Sequence, residues 1–122
     1  MVDKLAKEHS RLLQEWVKRL GLQNWKITLC GCCIESEMEI PECVGCTNWQ
    51  EVNHCAKIQI LSPECYGDRI LPFDWEKTLV HELLHLKMCL IANTQNELND
   101  RIAHILIEDL AQALVDAKRS AL

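Results

Sequence analysis

The sequence predicts an α+β fold in a single domain that covers residues 1–122. Apolar residues recur at helical spacing in the first twenty residues and again from residue 74 onward. Between these regions, short stretches alternate apolar and polar residues, which is the period of a half-buried strand. The chain is 48% hydrophobic and long enough to bury a core without disulfides. We therefore expect helices at both ends, packed against a small sheet.

An amphipathic N-terminal helix is predicted over residues 3–20. Gly21 follows it, in the position where a helix C-terminal glycine belongs. The apolar residues at helical spacing are Leu5, Leu12, Leu13, Trp16, Val17 and Leu20. We interpret this stripe as core packing.

A small sheet of three strands is predicted to follow. The strands cover residues 25–30, 44–49 and 56–61. In the third strand, Ile58 and Ile60 face one side while Lys57 and Gln59 face the other. Residues 53–54 are predicted to form the turn of a hairpin between the second and third strands. A loop bracketed by two prolines, at positions 63 and 72, leads to the next helix.

The next helix carries the most informative motif, His-Glu-Leu-Leu-His at residues 81–85. Asp74 is a suitable N-cap, and the apolar residues that follow it continue nearly all round the helix. These residues are Leu79, Val80, Leu83, Leu84, Leu86, Met88, Leu90 and Ile91. Such a helix is mostly buried, and a buried imidazole or carboxylate is costly unless it has a hydrogen-bond partner or a metal. His81, Glu82 and His85 therefore need an explanation.

Metal-assisted hydrolysis explains all three polar residues. Histidines at i and i+4 lie on one helix face, within reach of one tetrahedral cation. Glu82 then lies beside the metal without binding it. Zinc would polarise a scissile carbonyl and acidify a water, whose proton Glu82 would take and pass to the leaving amine. The alternative is a pair of hydrogen-bonded core histidines.

The third zinc ligand is expected from a long C-terminal helix, which begins after a capping box at residues 94–97 and ends near residue 118. Its predicted core stripe consists of Leu98, Ile102, Ile105, Leu106, Leu110 and Leu114. A neighbouring polar stripe contains Glu97, Arg101, His104 and Glu108.

His104 is the preferred third ligand, because a free imidazole among apolar neighbours is otherwise hard to explain. Alternatively, His104 is a core histidine that is hydrogen-bonded to a carbonyl. Glu108 is either a ligand itself or the carboxylate that orients a ligand histidine. Glu97 is expected only to cap its helix.

The chain resembles the small zincin-like metallopeptidases that are related to minigluzincins and are often encoded by phages or prophages. The similar segments are RLGLQNWKITL, VGCTNW, AKIQIL, LPFDWEKTLVHELLHL and RIAHILIEDLAQAL, within the span from Leu5 to Leu114. The resemblance implies zinc at His81 and His85, with Glu82 as the general base. The family's third ligand is a glutamate on the next helix, and by spacing it falls closest to His104. Glu108 then matches an acidic residue that supports a motif histidine.

The sequence departs from the gluzincin pattern at two places. Histidine replaces glutamate at position 104, which keeps a good zinc ligand but changes the charge of the site by one unit. Large gluzincins also continue into a further subdomain that closes the cleft and donates a Tyr or His to the oxyanion, whereas this sequence stops at Leu122. We therefore expect activity that is weak, confined to small or flexible peptides, or dependent on a partner.

Eight cysteines offer a competing metal site. Cys30, Cys32 and Cys33 form a C-x-C-C pattern, and Cys43 and Cys46 form a C-x-x-C pair. Such pairs can build a structural zinc site, but they lack zinc-ribbon spacing. We expect all eight cysteines to be reduced. The simpler interpretation is that they act as small buried hydrophobes.

The charge pattern and the N-terminus exclude several classes of function. Thirteen basic and 18 acidic residues give a net charge of -5, so neither nucleic acid nor an anionic membrane is an expected partner. The first ten residues lack the apolar core of a signal peptide, and we expect a cytoplasmic protein.

The sequence thus predicts a zinc-dependent metallopeptidase that acts on a peptide or protein substrate. Zinc would be held by His81, His85 and His104, with Glu82 as the base. The alternatives are a zincin fold that binds metal or a partner without catalysis, and a structural zinc protein based on thiols. The sequence does not indicate an oligomeric state.

Overall fold

The computed structural model describes residues 2–40, 42–67, 72–89 and 97–121, with the backbone alone for residues 2–5 and 97. Within these ranges the fold is α+β, as predicted, with four α-helices and a mixed three-stranded sheet. The helices are α1 (Val2–Arg19), α2 (Pro63–Tyr66), α3 (Trp75–Lys87) and α4 (Glu97–Ser120). The strands are β1 (Lys26–Cys33), β2 (Gly45–Gln50) and β3 (Cys55–Leu61), and a short 3-10 helix covers Glu35–Glu37.

The sheet has the order β1-β3-β2, so β2 lies at one edge. β3 pairs in parallel with β1 and antiparallel with β2, with Thr47 opposite Ile58 in the register. The predicted hairpin is confirmed, and His54 in its turn has a φ of 52°. β1 continues three residues beyond the predicted strand, because its pairing with β3 resumes at Cys33 after an irregularity.

The N-terminal helix ends at the predicted glycine. Gly21 has a φ of 68°, which favours a residue without a Cβ, and Leu22 N donates to Val17 O at 2.8 Å. Trp16, on the apolar face of α1, is 2% exposed. Its Nε1 donates to Glu76 of α3 at 2.6 Å, so α1 is tied to the start of the motif helix.

Charged pairs join the start of α3 to the end of α4. Asp74 caps α3 by accepting a hydrogen bond from Lys77 N at 3.1 Å. Arg119 donates to both oxygens of the same carboxylate at 2.9 and 3.1 Å, and Lys118 pairs with Glu76. The two helices therefore run antiparallel, so the middle of α4 lies beside the motif on α3.

The core face of α4 differs from the prediction. Leu98, Ile102, Ile105, Leu106 and Leu110 are 45–64% exposed, so assigning them to the core was wrong, and Leu114 is half-buried. The buried residues are Ala103, Ile107, Ala111 and Val115. Two of these four are alanines, which allow α4 to lie close to α3. The close approach brings His104 and Glu108 of α4 to the motif.

The cysteines also differ in part from the prediction. Cys30 and Cys33 form a disulfide with a Cα–Cα distance of 6.1 Å, so the expectation that all eight stay reduced was wrong for this pair. The irregularity in β1 between these two residues brings their side chains together. Cys33 and Cys46 are buried in a small apolar cluster with Met38 and Leu61, as expected of cysteines that act as hydrophobes.

Among the described residues, no helix combines the length and the apolar character that crossing a bilayer requires.

Candidate metal centre

Three histidines from two helices meet in one cleft. His81 and His85 lie one turn apart on α3, and His104 reaches them from α4. One ring nitrogen from each lies within 4.8 Å of the others. The ring centroids are 5.1 Å apart for His81 and His85, and 4.8 Å apart for His85 and His104. The structure thus brings together the three histidines that the sequence predicts as zinc ligands.

The donor set fits a zinc ion. Tetrahedral coordination at the usual Zn–N distance of about 2.0–2.1 Å puts ligand nitrogens roughly 3.3 Å apart. The ring nitrogens lie within 4.8 Å of one another, so the imidazoles would have to move closer together to reach that spacing. Burial lowers the pKa of His81. Burial, together with the neighbouring His81 and His104, lowers the pKa of His85 to about 4. Both rings are therefore neutral at physiological pH, which is the form that binds a metal.

The surroundings of His104 differ from those that the sequence predicted. Its side chain is 52% exposed, so it is not a desolvated core histidine. The apolar neighbours Ile105 and Leu106 face outward, while Ala103 and Ile107 face the core. His104 lies between these faces, on the side of α4 that meets the motif.

Glu108 lies behind His81 instead of among the ligand atoms. Its Oε2 is 2.8 Å from His81 Nδ1, and its Oε1 is 2.6 Å from Lys77 Nζ. Burial raises the pKa of Glu108, but the hydrogen bonds from Lys77 and His81 outweigh it and lower that pKa. An ionised carboxylate on Nδ1 leaves Nε2 of His81 free for a metal and fixes the ring. Of the two roles considered for Glu108, the geometry favours orienting His81.

Glu82 is buried between α3 and β2. It is 6% exposed, and Thr47 Oγ1 donates to its Oε1 at 2.6 Å. Burial raises the pKa of Glu82 to about 7, despite the opposing hydrogen bond from Thr47. A carboxyl group with a pKa near neutrality is suited to accept and release a proton.

Gly45 and Thr47 are parts of this site that the sequence analysis missed. A Cβ built on Gly45 would lie 2.6 Å from Glu82 Oε2, closer than real contacts allow. The carboxylate therefore fits against β2 only because position 45 has no side chain. A glycine inside a predicted strand often marks such a close approach, so Gly45 could have been found from the sequence. No sequence signal distinguishes Thr47 from other strand threonines.

We expect Thr47→Val to lower the free energy of unfolding by about 1–3 kcal/mol, because a buried carboxylate loses its hydrogen-bond donor. Urea denaturation above pH 7, where Glu82 is ionised, measures this change. Thr47→Ser keeps the hydroxyl, so its free energy of unfolding should fall much less. Thr28→Val, at an exposed position on β1, is the matched control. Equal losses in the Val and Ser variants would show that the hydroxyl does not hold Glu82.

The histidines and Glu82 line one open cleft of about 540 Å³. That volume lies within the usual range for ligand pockets, roughly 300–1,000 Å³. β2 forms one wall through Gly45, Thr47 and Trp49, and Tyr66 and Phe73 contribute aromatic surface. The cleft thus combines apolar walls with a few convergent polar groups.

The cysteines do not form a comparable centre. All eight lie in the described part of the chain, where the only group of three or more potential ligands this close together is the histidine cluster. Burial raises the pKa of Cys46 and of Cys32, with nearby carboxylates contributing. Raised thiol pKa values disfavour the thiolates that zinc binds.

Comparison with known proteins does not add a family assignment. No protein-family model matches the chain, and searches of curated proteins and of solved structures found no significant match.

Proposed function

We propose that this chain is a zinc-dependent, zincin-like metallopeptidase that hydrolyses peptide bonds. One observation carries the proposal: three imidazoles converge within 4.8 Å of one another, in the same cleft as a buried glutamate. A purely structural metal site has no use for a carboxylate beside its ligands. In metal-assisted hydrolysis, a carboxylate that does not bind the metal can act as the general base.

Each residue has a distinct task in this proposal. His81, His85 and His104 would hold the zinc ion, and Glu108 fixes His81 through its Nδ1. When bound, zinc would supply a Lewis acid for the scissile carbonyl and for a water. Glu82 would accept a proton from a water as the water oxygen attacks the carbonyl carbon, and would deliver that proton to the amine nitrogen as the C–N bond breaks. The raised pKa of Glu82 suits both halves of this proton transfer.

The shape of the cleft supports a peptide as the substrate. β2 is an edge strand, and its residues form one wall of the cleft. The aromatic surface of Trp49, Tyr66 and Phe73 can pack against apolar side chains of a peptide. A net charge of -5 disfavours polyanionic substrates.

A second candidate is a metal-binding or interaction module without catalytic activity. The hydrogen bond from Thr47 to Glu82 favours it, because that bond gives the buried carboxylate a structural partner. A buried carboxylate that serves only packing would still hold β2 against α3. The two candidates differ in what the zinc-loaded protein does to peptides.

The test is to incubate zinc-loaded protein with a proteome-derived peptide library and to sequence the new termini by mass spectrometry. We expect cleavage that stops when zinc is removed by a chelator and returns when zinc is added back. The absence of new termini across a broad library would contradict the peptidase proposal and favour the non-catalytic module. Cleavage that persists in the chelator would indicate a contaminating protease.

A further inference from the structure

α4 presents an apolar face to solvent, with the exposed Asp109 alongside Ile105 and Leu106. We define the outer face of α4 as Leu98, Ile102, Ile105, Leu106 and Leu110, which are 64%, 46%, 58%, 48% and 45% exposed. Steps of three and four residues place them along one stripe of the helix. Scattered exposed hydrophobic residues are ordinary, but an aligned set of this size marks an interaction surface.

The outer face is separate from the metal centre. It lies on the opposite side of α4 from Ala103, Ile107 and Ala111, which pack into the core. His104 and Glu108 lie on the side of α4 that meets α3. A partner seated on the outer face would therefore leave the cleft open.

The area of the outer face matches what a small dimer needs. The exposed parts of these five residues add up to roughly 500 Å² of accessible surface. The largest apolar patch on a typical monomer covers about 300–600 Å², so this area lies toward the upper end of that range. Two such faces packed together would bury roughly 1,000 Å², about the minimum for a specific interface. The face is thus large enough to pair with a copy of itself.

The charges beside the outer face favour an antiparallel arrangement. Arg101 lies four residues before Ile105, and Asp109 lies four residues after it. Neither forms an ion pair with any other side chain in the described part of the chain. A two-fold axis at Ile105 would place Arg101 of each copy opposite Asp109 of the other, whereas parallel pairing would place like charges together.

We propose that the outer face of α4 binds a second copy of this chain as an antiparallel, two-fold symmetric helix pair. An interface of roughly 1,000 Å² belongs to the size class of weak, transient complexes, and we expect a dissociation constant of about 10–100 µM. This inference does not depend on the metal centre or on the proposed activity.

Sedimentation equilibrium at concentrations up to about 0.5 mM tests the proposal, since the expected dissociation constant lies well below that limit. We expect wild type to dimerise and Ile105→Glu to stay monomeric. Val52→Glu is the matched control, because Val52 lies on the surface in the β2–β3 turn. Circular dichroism checks that each variant is folded. A monomeric wild type at about 0.5 mM, or a dimer that survives Ile105→Glu, would overturn the proposal.

Charge exchange tests the geometry of the pair. Arg101→Asp should weaken the dimer at least tenfold, because each copy then places two acidic groups together. The double variant Arg101→Asp with Asp109→Arg restores opposite charges and should dimerise like wild type. A double variant no tighter than Arg101→Asp alone would rule out the antiparallel pairing.

Discussion

Glu82→Gln is expected to lower kcat/KM for peptide hydrolysis by about 100- to 10,000-fold, the contribution typical of a general base. The amide keeps the shape of the side chain and can still accept a hydrogen bond from Thr47. It cannot take a proton from water. Zinc content should stay unchanged, because Glu82 is not a ligand.

The control for Glu82→Gln is Glu64→Gln, an exposed carboxylate on α2 that does not line the cleft. We expect it to retain wild-type activity. Initial rates on one peptide identified from the library, measured with zinc content determined on the same samples, give the comparison. A Gln variant with wild-type kcat/KM and full zinc content would remove Glu82 from the mechanism.

Replacing any one of His81, His85 and His104 with Ala is expected to weaken zinc binding by more than about 100-fold. A group that only supports a ligand typically accounts for 10- to 100-fold, so we expect Glu108→Gln to fall in that smaller range. Competition with a fluorescent chelator measures each affinity. The difference between the two classes follows from the structure, in which Glu108 contacts His81 instead of joining the cluster.

His54→Ala is the control for the ligand variants. His54 lies in the β2–β3 turn and its ring contacts Asn24 and Trp25, away from the cluster. Its removal should leave zinc affinity unchanged. Zinc that survives His81→Ala at wild-type affinity would contradict the histidine site and direct attention to the cysteines.

The sequence predicted those parts of the fold that depend on local periodicity. The amphipathic α1, the hairpin between β2 and β3 and the capped start of α3 all follow from patterns within a few residues of one another. The spacing of His81 and His85 belongs to the same class, because a helix fixes how residues four apart are placed.

Features that depend on packing between distant segments were not predictable. The prediction for α4 took its largest apolar residues as the core, but close packing against α3 selects the face with Ala103 and Ala111. Because that face packs against α3, Ile105 and Leu106 are exposed to solvent. Periodicity alone shows that a helix has an apolar stripe, and it does not show which of two stripes has a partner.

The sequence predicted which histidines lie together but missed the residues that support them. His104 was selected for burial that the structure does not show, since its side chain is 52% exposed. Thr47 contacts Glu82 across 35 residues of sequence, and only the fold brings them together. The disulfide between Cys30 and Cys33 likewise depends on an irregularity in strand pairing that no sequence pattern indicated.

X-ray absorption at the zinc edge tests the central claim most directly, because it reports the atoms that surround the metal. Zinc-loaded wild type should show a shell of nitrogen or oxygen atoms at about 2.0–2.1 Å, with the outer scattering pattern of three imidazole rings. A sulfur shell at about 2.3 Å would place zinc on the cysteines and contradict the histidine centre.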